Sequence, residues 1–152
     1  MRITLVAVGR LRKGPEKALV DEYLDRFAKT GRGLGLPSVS LVEVEAKGGL
    51  TEAEAITRAL PAGAAVAILD ERGAGLTSPQ LAERIAAWRD QARDVAFVIG
   101  GADGLDPSLR AAPDLAISFG SVVWPHMLVR VMLAEQLYRA ASILAGSPYH
   151  RA

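Results

Sequence analysis

The sequence predicts an α/β protein in which a mostly parallel sheet is flanked by helices. Two observations carry this. Short apolar runs alternate with helix-spaced segments along all 152 residues, and several runs are continuous enough to be strands covered on both faces. The segments between them carry helix caps and first-turn prolines, as crossover helices do.

Ile3–Val8 reads as a buried strand, and residues 16–28 follow with Leu19, Val20, Tyr23, Leu24 and Phe27 at helical spacing. Residues 29–37, with three glycines, read as a loop. Residues 38–44, SVSLVEV, alternate like a more exposed strand. Thr51 and Glu54 have capping-box spacing and open a helix that stops at Pro61 and Gly63. A third strand, residues 65–69, ends at Asp70; Ser78 as cap and Pro79 start a helix running to about Gln91. Val95–Ile99 is a fourth strand, Asp106 and Pro107 start a short helix, and residues 115–119 are a fifth strand.

The last helix, residues 127–144, has clearly polar residues only at Arg130, Glu135, Gln136, Arg139 and Ser142. At about 100° per residue, His126 and Arg130 share one face, with Glu135, Arg139 and Ser142 roughly opposite. A helix this apolar must be covered on more than one side. Either a second copy covers it, giving a homodimer, or it lies wholly inside one chain.

Composition narrows the chemistry. With 50% hydrophobic and 23% charged residues, 1–152 is expected to form a single domain with its own core. No window approaches the ~18 uninterrupted apolar residues of a membrane span, and charge appears too early for a signal peptide, so a cytoplasmic protein without a membrane partner is expected. There is no cysteine, and two histidines, His126 and His150, are too few for a metal cluster, so no metal is expected. The net charge of +1 conceals basic ends and an acidic middle: residues 1–33 carry eight Lys/Arg against four Asp/Glu, residues 34–109 six against eleven. A phosphate-rich partner is permitted, but no polybasic tract argues for independent tight RNA binding.

Three loops could carry chemistry. Gly100-Gly101-Ala102-Asp103-Gly104 follows the fourth strand, residues 119–126 (FGSVVWPH) follow the fifth, and residues 70–75 (DERGAG) follow the third. Glycines after strands are also plain turns, and the GxGxxG spacing and Walker lysine are both missing, which weakens an NAD-dependent oxidoreductase. Three such loops converging on one sheet edge would form a cleft suited to an adenine-bearing ligand. The tail from Ser147 to Ala152 offers Tyr149, His150 and Arg151: a stacking ring, a titratable nitrogen and a phosphate-binding fork.

The ordered set VIGGADG, SFGSVVWPHMLVRVMLAEQLYRA and PYHR resembles the RlmH family of small bacterial SPOUT-class RNA methyltransferases, which methylate N3 of a pseudouridine in 23S ribosomal RNA. The likeness takes in LVAVGRLRKG and ILDERG and spans essentially the whole chain. The family often has Met-Thr where this chain has Val122 and Val123, so a side-chain hydroxyl is missing. The resemblance implies an α/β fold with a C-terminal trefoil knot, against the general rule that chains do not thread, and a homodimer. It implies S-adenosyl-L-methionine held by Leu69, Gly100, Gly101, Phe119, Gly120, Ser121, Val122, Val123 and Trp124.

The same resemblance implies catalytic roles. Arg130, Arg139 and Arg151 would stabilise phosphate or a carbonyl anion, Tyr149 would stack or orient, and His150 or His126 would handle the proton. Arg139 could instead simply pair with Glu135 four residues earlier, and His126 could cap its helix. The implied substrate is 23S rRNA on the assembled ribosome. A SPOUT enzyme acting on another RNA such as tRNA, and a non-catalytic ribosome-binding factor, are the alternatives.

Overall fold

The computed structural model describes residues 1–151; Ala152, the end of the expected functional tail, lies outside them. Five strands, β1 (Ile3–Val8), β2 (Val39–Val44), β3 (Ala65–Ala74), β4 (Val95–Ile99) and β5 (Leu115–Ile117), form one sheet in the order β2-β1-β4-β3-β5. Every pairing is parallel. The helices are α1 (Pro15–Gly31), α2 (Glu52–Ala59), α3 (Ser78–Asp90), α4 (Pro107–Arg110) and α5 (His126–Leu144).

The period of two along β1 divides the core. Ile3, Leu5 and Ala7 point into one apolar cluster with Phe27 of α1, Ile85 and Trp88 of α3, and Leu133 and Leu137 of α5. Val6 and Val8 point into the other, with Ile56 of α2 and Leu105. The connections through α1 and α3 step the chain one way across the sheet on one face. Those through α2 and α4 step it back on the other, as right-handed crossovers require. After the edge strand β5, the chain returns over the carboxyl ends of the strands so that α5 can pack beside α1 and α3. The flanks of α5 are therefore covered within the chain, while Leu128 stays 40% exposed, and Val122, Val123 and Trp124 in the preceding loop are exposed as well.

Four local expectations are corrected. Strand β3 does not end at Asp70. It runs on to Ala74 through a bulge, and its pairing with β5 resumes at Ala74 opposite Ile117. Gly73 permits this, because a Cβ there would lie 2.6 Å from the Ala116 carbonyl carbon and 2.8 Å from Ile117 N. Strand β5 stops at Ile117 instead of Phe119, since the Ser118 hydroxyl turns the chain by donating toward Glu71 O and accepting from Gly120 N–H. The cap of α3 is Thr77, whose hydroxyl accepts from Gln80 N–H while Gln80 returns the bond. Ser78 Oγ donates to Gln136 on α5 instead, at 2.7 Å. Finally α1 continues to Gly31 and passes into a 3₁₀ turn over Arg32–Leu34, so two thirds of the expected glycine-rich loop is helical. The capping box of Thr51 and Glu54 is present as read.

Candidate functional site

The later part of β3, from Leu69 to Arg72, and the loops after β4 and β5 meet at one edge of the sheet, where they enclose a cleft of about 780 Å³. Organic ligands occupy pockets of roughly 300–1,000 Å³. Of the residues singled out from sequence, Leu69, Gly100, Gly101, Phe119, Gly120, Val122, Val123, Trp124 and His126 line it. Ser121 is exposed beside it and does not. The indole N–H of Trp124 donates to Phe119 O at 3.3 Å and closes the 119–124 loop on itself.

The glycine pair is explained by packing on the protein itself. A Cβ on Gly100 would lie 3.0 Å from the Gly104 carbonyl, and one on Gly101 would lie 2.9 Å from the Glu52 carboxylate and 3.2 Å from Val8. At Gly104 and Gly120, by contrast, a Cβ would meet open space.

Sequence reasoning assigned no role to the cleft's charged wall. Asp70, Glu71 and Asp103 bring carboxylates to it, and Arg72 and Arg110 bring cations. Ile99, Leu105, Ile117 and Val129 supply its apolar floor. The available signal was the abrupt change from AVAIL to DER within β3, which marks where a buried strand emerges at a sheet edge.

Arg130 stands behind the cleft and does not line it. It is 1% exposed, donates from Nη1 to Glu43 Oε2 at 2.6 Å and from Nη2 to the carbonyls of Gly9 (3.0 Å) and Val8 (3.3 Å). The same Glu43 oxygen accepts Leu11 N–H at 2.6 Å. Burial pushes the Glu43 carboxyl upward, but the Leu11 amide and the Arg130 guanidinium together outweigh it and hold it below the usual glutamate range. Arg130 thus joins the start of α5 to the ends of β1 and β2.

Arg139, Tyr149 and His150 form a second cluster, with Arg139 roughly 20 Å from His126 along α5 at ~1.5 Å per residue. Arg139 donates from Nε and Nη2 to Glu135 Oε1 at 2.9 and 2.6 Å, so the four-residue pairing weighed from spacing is present. The Tyr149 ring lies tilted at 60° to Tyr138 with centroids 4.6 Å apart, sits 4.8 Å from the Arg139 guanidinium carbon, and its hydroxyl donates to Glu135 at 3.0 Å. Burial first, and the carboxylate partner second, push the Tyr149 phenol up to about 12, so it stays protonated at neutral pH. Glu135 likewise raises the Arg139 guanidinium. Arg139 Nη1 lies 3.1 Å from His150 Nδ1. A guanidinium only donates, so Nδ1 accepts and the proton of a neutral ring sits on Nε2. Arg151 is exposed.

Known proteins match this chain in sequence and in fold. Residues 1–150 match the family described as "Predicted SPOUT methyltransferase". The chain belongs to the SPOUT methyltransferase family. Two SPOUT relatives, from Paracoccus denitrificans and Cereibacter sphaeroides, are each 68% identical to it over 99% of this chain and 99% of their own length. A third, from Ruegeria pomeroyi, is 65% identical over the same shares. All three carry the name Ribosomal RNA large subunit methyltransferase H. Solved structures share the SPOUT fold at low identity. A probable methylase family protein from Haemophilus influenzae has a TM-score of 0.53 at 13% identity, covering 99% of this chain and 70% of that one. A probable methyltransferase from Bordetella pertussis has a TM-score of 0.53 at 15% identity, covering 92% and 94%.

Proposed function

We propose that the chain, acting over residues 1–152 as one catalytic domain, transfers a methyl group from S-adenosyl-L-methionine to N3 of a pseudouridine in large-subunit ribosomal RNA in the cytoplasm. The single observation that carries this is the cleft at the ends of β3, β4 and β5, considered with the names of the relatives that are 68% identical. The donor's chemistry fits the walls: Ile99, Leu105 and Ile117 can cover a purine, and the carboxylates of Asp70, Glu71 and Asp103 suit a sulfonium cation.

When bound, S-adenosylmethionine supplies an electrophilic methyl carbon on sulfur. The cleft residues would hold the donor so that this carbon is open to an incoming base, and such positioning can supply a large part of the acceleration of a displacement. The acceptor N3–H must lose its proton. His126 is the imidazole that lines the cleft and is assigned as proton acceptor, whereas the His150 Nδ1 lone pair is occupied by Arg139. Tyr149 cannot serve as a base while it remains protonated. Arg139 and Arg151 carry fixed charges suited to the anion left on the base or to phosphate.

The tail cluster lies far from the cleft of its own chain, so it can act there only from a second copy. A homodimer pairing α5 against α5 in opposite senses would bring the tail of one copy to the cleft of the other. Such a dimer would also cover Val122, Val123 and Leu128, which are 60%, 84% and 40% exposed. A C-terminal knot belongs to this proposal through the family likeness.

The test is methyl transfer to ribosomes from a strain lacking the modification. Formation of N3-methylpseudouridine is the expected result. Transfer to tRNA alone would overturn the substrate, and absence of any S-adenosylmethionine binding would favour a non-catalytic ribosome factor.

A further inference from the structure

The connection from β1 to α1 reads Gly9-Arg10-Leu11-Arg12-Lys13-Gly14 and places three cations within four residues, with no acid before Glu16. All three are exposed, and among the described residues none of them forms an ion pair. A solvated charge run needs no internal support, but this one has it. Gly9 N–H donates to Val44 O at 2.9 Å, Gly9 O accepts from Arg130, and Leu11 N–H donates to Glu43. The backbone of the loop is therefore fixed on two sides, by the end of β2 and by the buried arginine of α5, while its cationic side chains face solvent.

The same anchoring sets the loop against the cleft. A Cβ on Gly9 would lie 3.3 Å from Met127 Cε and 3.9 Å from His126 Nε2, so the loop abuts the first turn of α5, whose His126 lines the cleft. The lining of the cleft is of mixed charge, with the carboxylates of Asp70, Glu71 and Asp103 beside the cations of Arg72 and Arg110. A polyanion approaching this edge meets a cleft whose charges are mixed and, next to it, a loop whose charges are all positive.

We propose that Arg10, Arg12 and Lys13 form a preorganised phosphate-binding loop that grips the RNA backbone beside the target nucleotide and aims its base toward His126. The contacts are to phosphate, so they set register and orientation without reading sequence. A loop already held by three backbone bonds loses little further freedom on binding. This presupposes the RNA substrate proposed above and adds the surface that holds it.

The test uses the full chain with Arg10, Arg12 and Lys13 all changed to Gln, and measures binding to unmodified large ribosomal subunits at several KCl concentrations. Each phosphate contact contributes roughly 0.7–0.9 to the slope of log affinity against log salt, so the slope should become shallower by about 2–3. Affinity for S-adenosylmethionine by calorimetry and the thermal midpoint should match wild type. An unchanged salt slope overturns the proposal, as does a triple variant that loses donor affinity or melts early, because the loop would then be structural. Binding of wild type to phosphatidylglycerol vesicles, abolished in the variant while the RNA slope stays put, would overturn it in favour of a membrane surface. Wild type that binds the donor but binds tRNA in place of ribosomal subunits would contradict the substrate proposed above, and the same slope comparison would then be made on tRNA.

Discussion

Arg130 and Glu43 are 87 residues apart in sequence and 2.6 Å apart in space, with the arginine almost wholly buried and the carboxylate side chain 30% exposed. One carboxylate oxygen holds both this guanidinium and the Leu11 amide. Three structures thus depend on one atom: the end of β2, the cationic loop and the start of α5.

Glu43→Ala leaves a buried cation with only carbonyl partners. Breaking a buried pair costs roughly 3–5 kcal/mol, and partial solvent access to the carboxylate argues for the lower end. Urea unfolding should show the loss. The folded-state carboxyl is depressed, so its contribution is fully present above the ordinary glutamate value of about 4.3 and fades as pH falls through the lower folded value. Stability of wild type should therefore fall more steeply than that of the variant below about pH 4; parallel curves would contradict the coupling.

Gly73→Ala forces a methyl to within 2.6 Å of the Ala116 carbonyl, where only backbone could move. Overpacking of this kind costs roughly 1–3 kcal/mol or more. The expected result is a lower thermal midpoint with weakened donor binding, since β3 and β5 both reach the cleft. A variant of wild-type stability would mean that the bulge is pliable.

His126→Ala should retain donor affinity and lose methyl transfer by about 10²–10⁴-fold, the usual contribution of a positioned base. Calorimetry and single-turnover transfer separate the two. Wild-type transfer rates would remove His126 from the proton path.

Removing residues 149–152 should spare donor binding and eliminate methyl transfer. Mixed dimers offer the sharper reading: a truncated subunit combined with a His126→Ala subunit should recover one working cleft, if tails act across copies. No recovery would confine the tail to its own chain. Tyr149→Phe should leave the pH profile of transfer unmoved below about pH 11, because the wild-type phenol titrates only near 12.

Much of the fold was legible because its signals are local. The unbroken apolar runs of β1 and β4, and the Thr51 and Glu54 box, need no distant partner to be read. Where two local signals competed, tertiary contacts decided. Thr77 caps α3 because Ser78 is engaged by Gln136, and the polar DERG segment stays extended because Gly73 can lie against β5. The cleft loops after β4 and β5 could be anticipated from strand ends, whereas the third expected loop proved to be strand as far as Ala74. The clamp of Arg130 by Glu43 could not, since nothing near either residue names its partner. Gly100 and Gly101 were expected to leave room for a ligand, yet their missing side chains make room for Gly104, Glu52 and Val8.

The most direct measurement is a crystal structure of the full chain grown with S-adenosylhomocysteine. The prediction is density for the nucleoside between Leu69, Gly100 and Phe119, with the terminal tail of a second copy closing over it. Density at any other place, or an empty cleft at saturating ligand, would contradict the account.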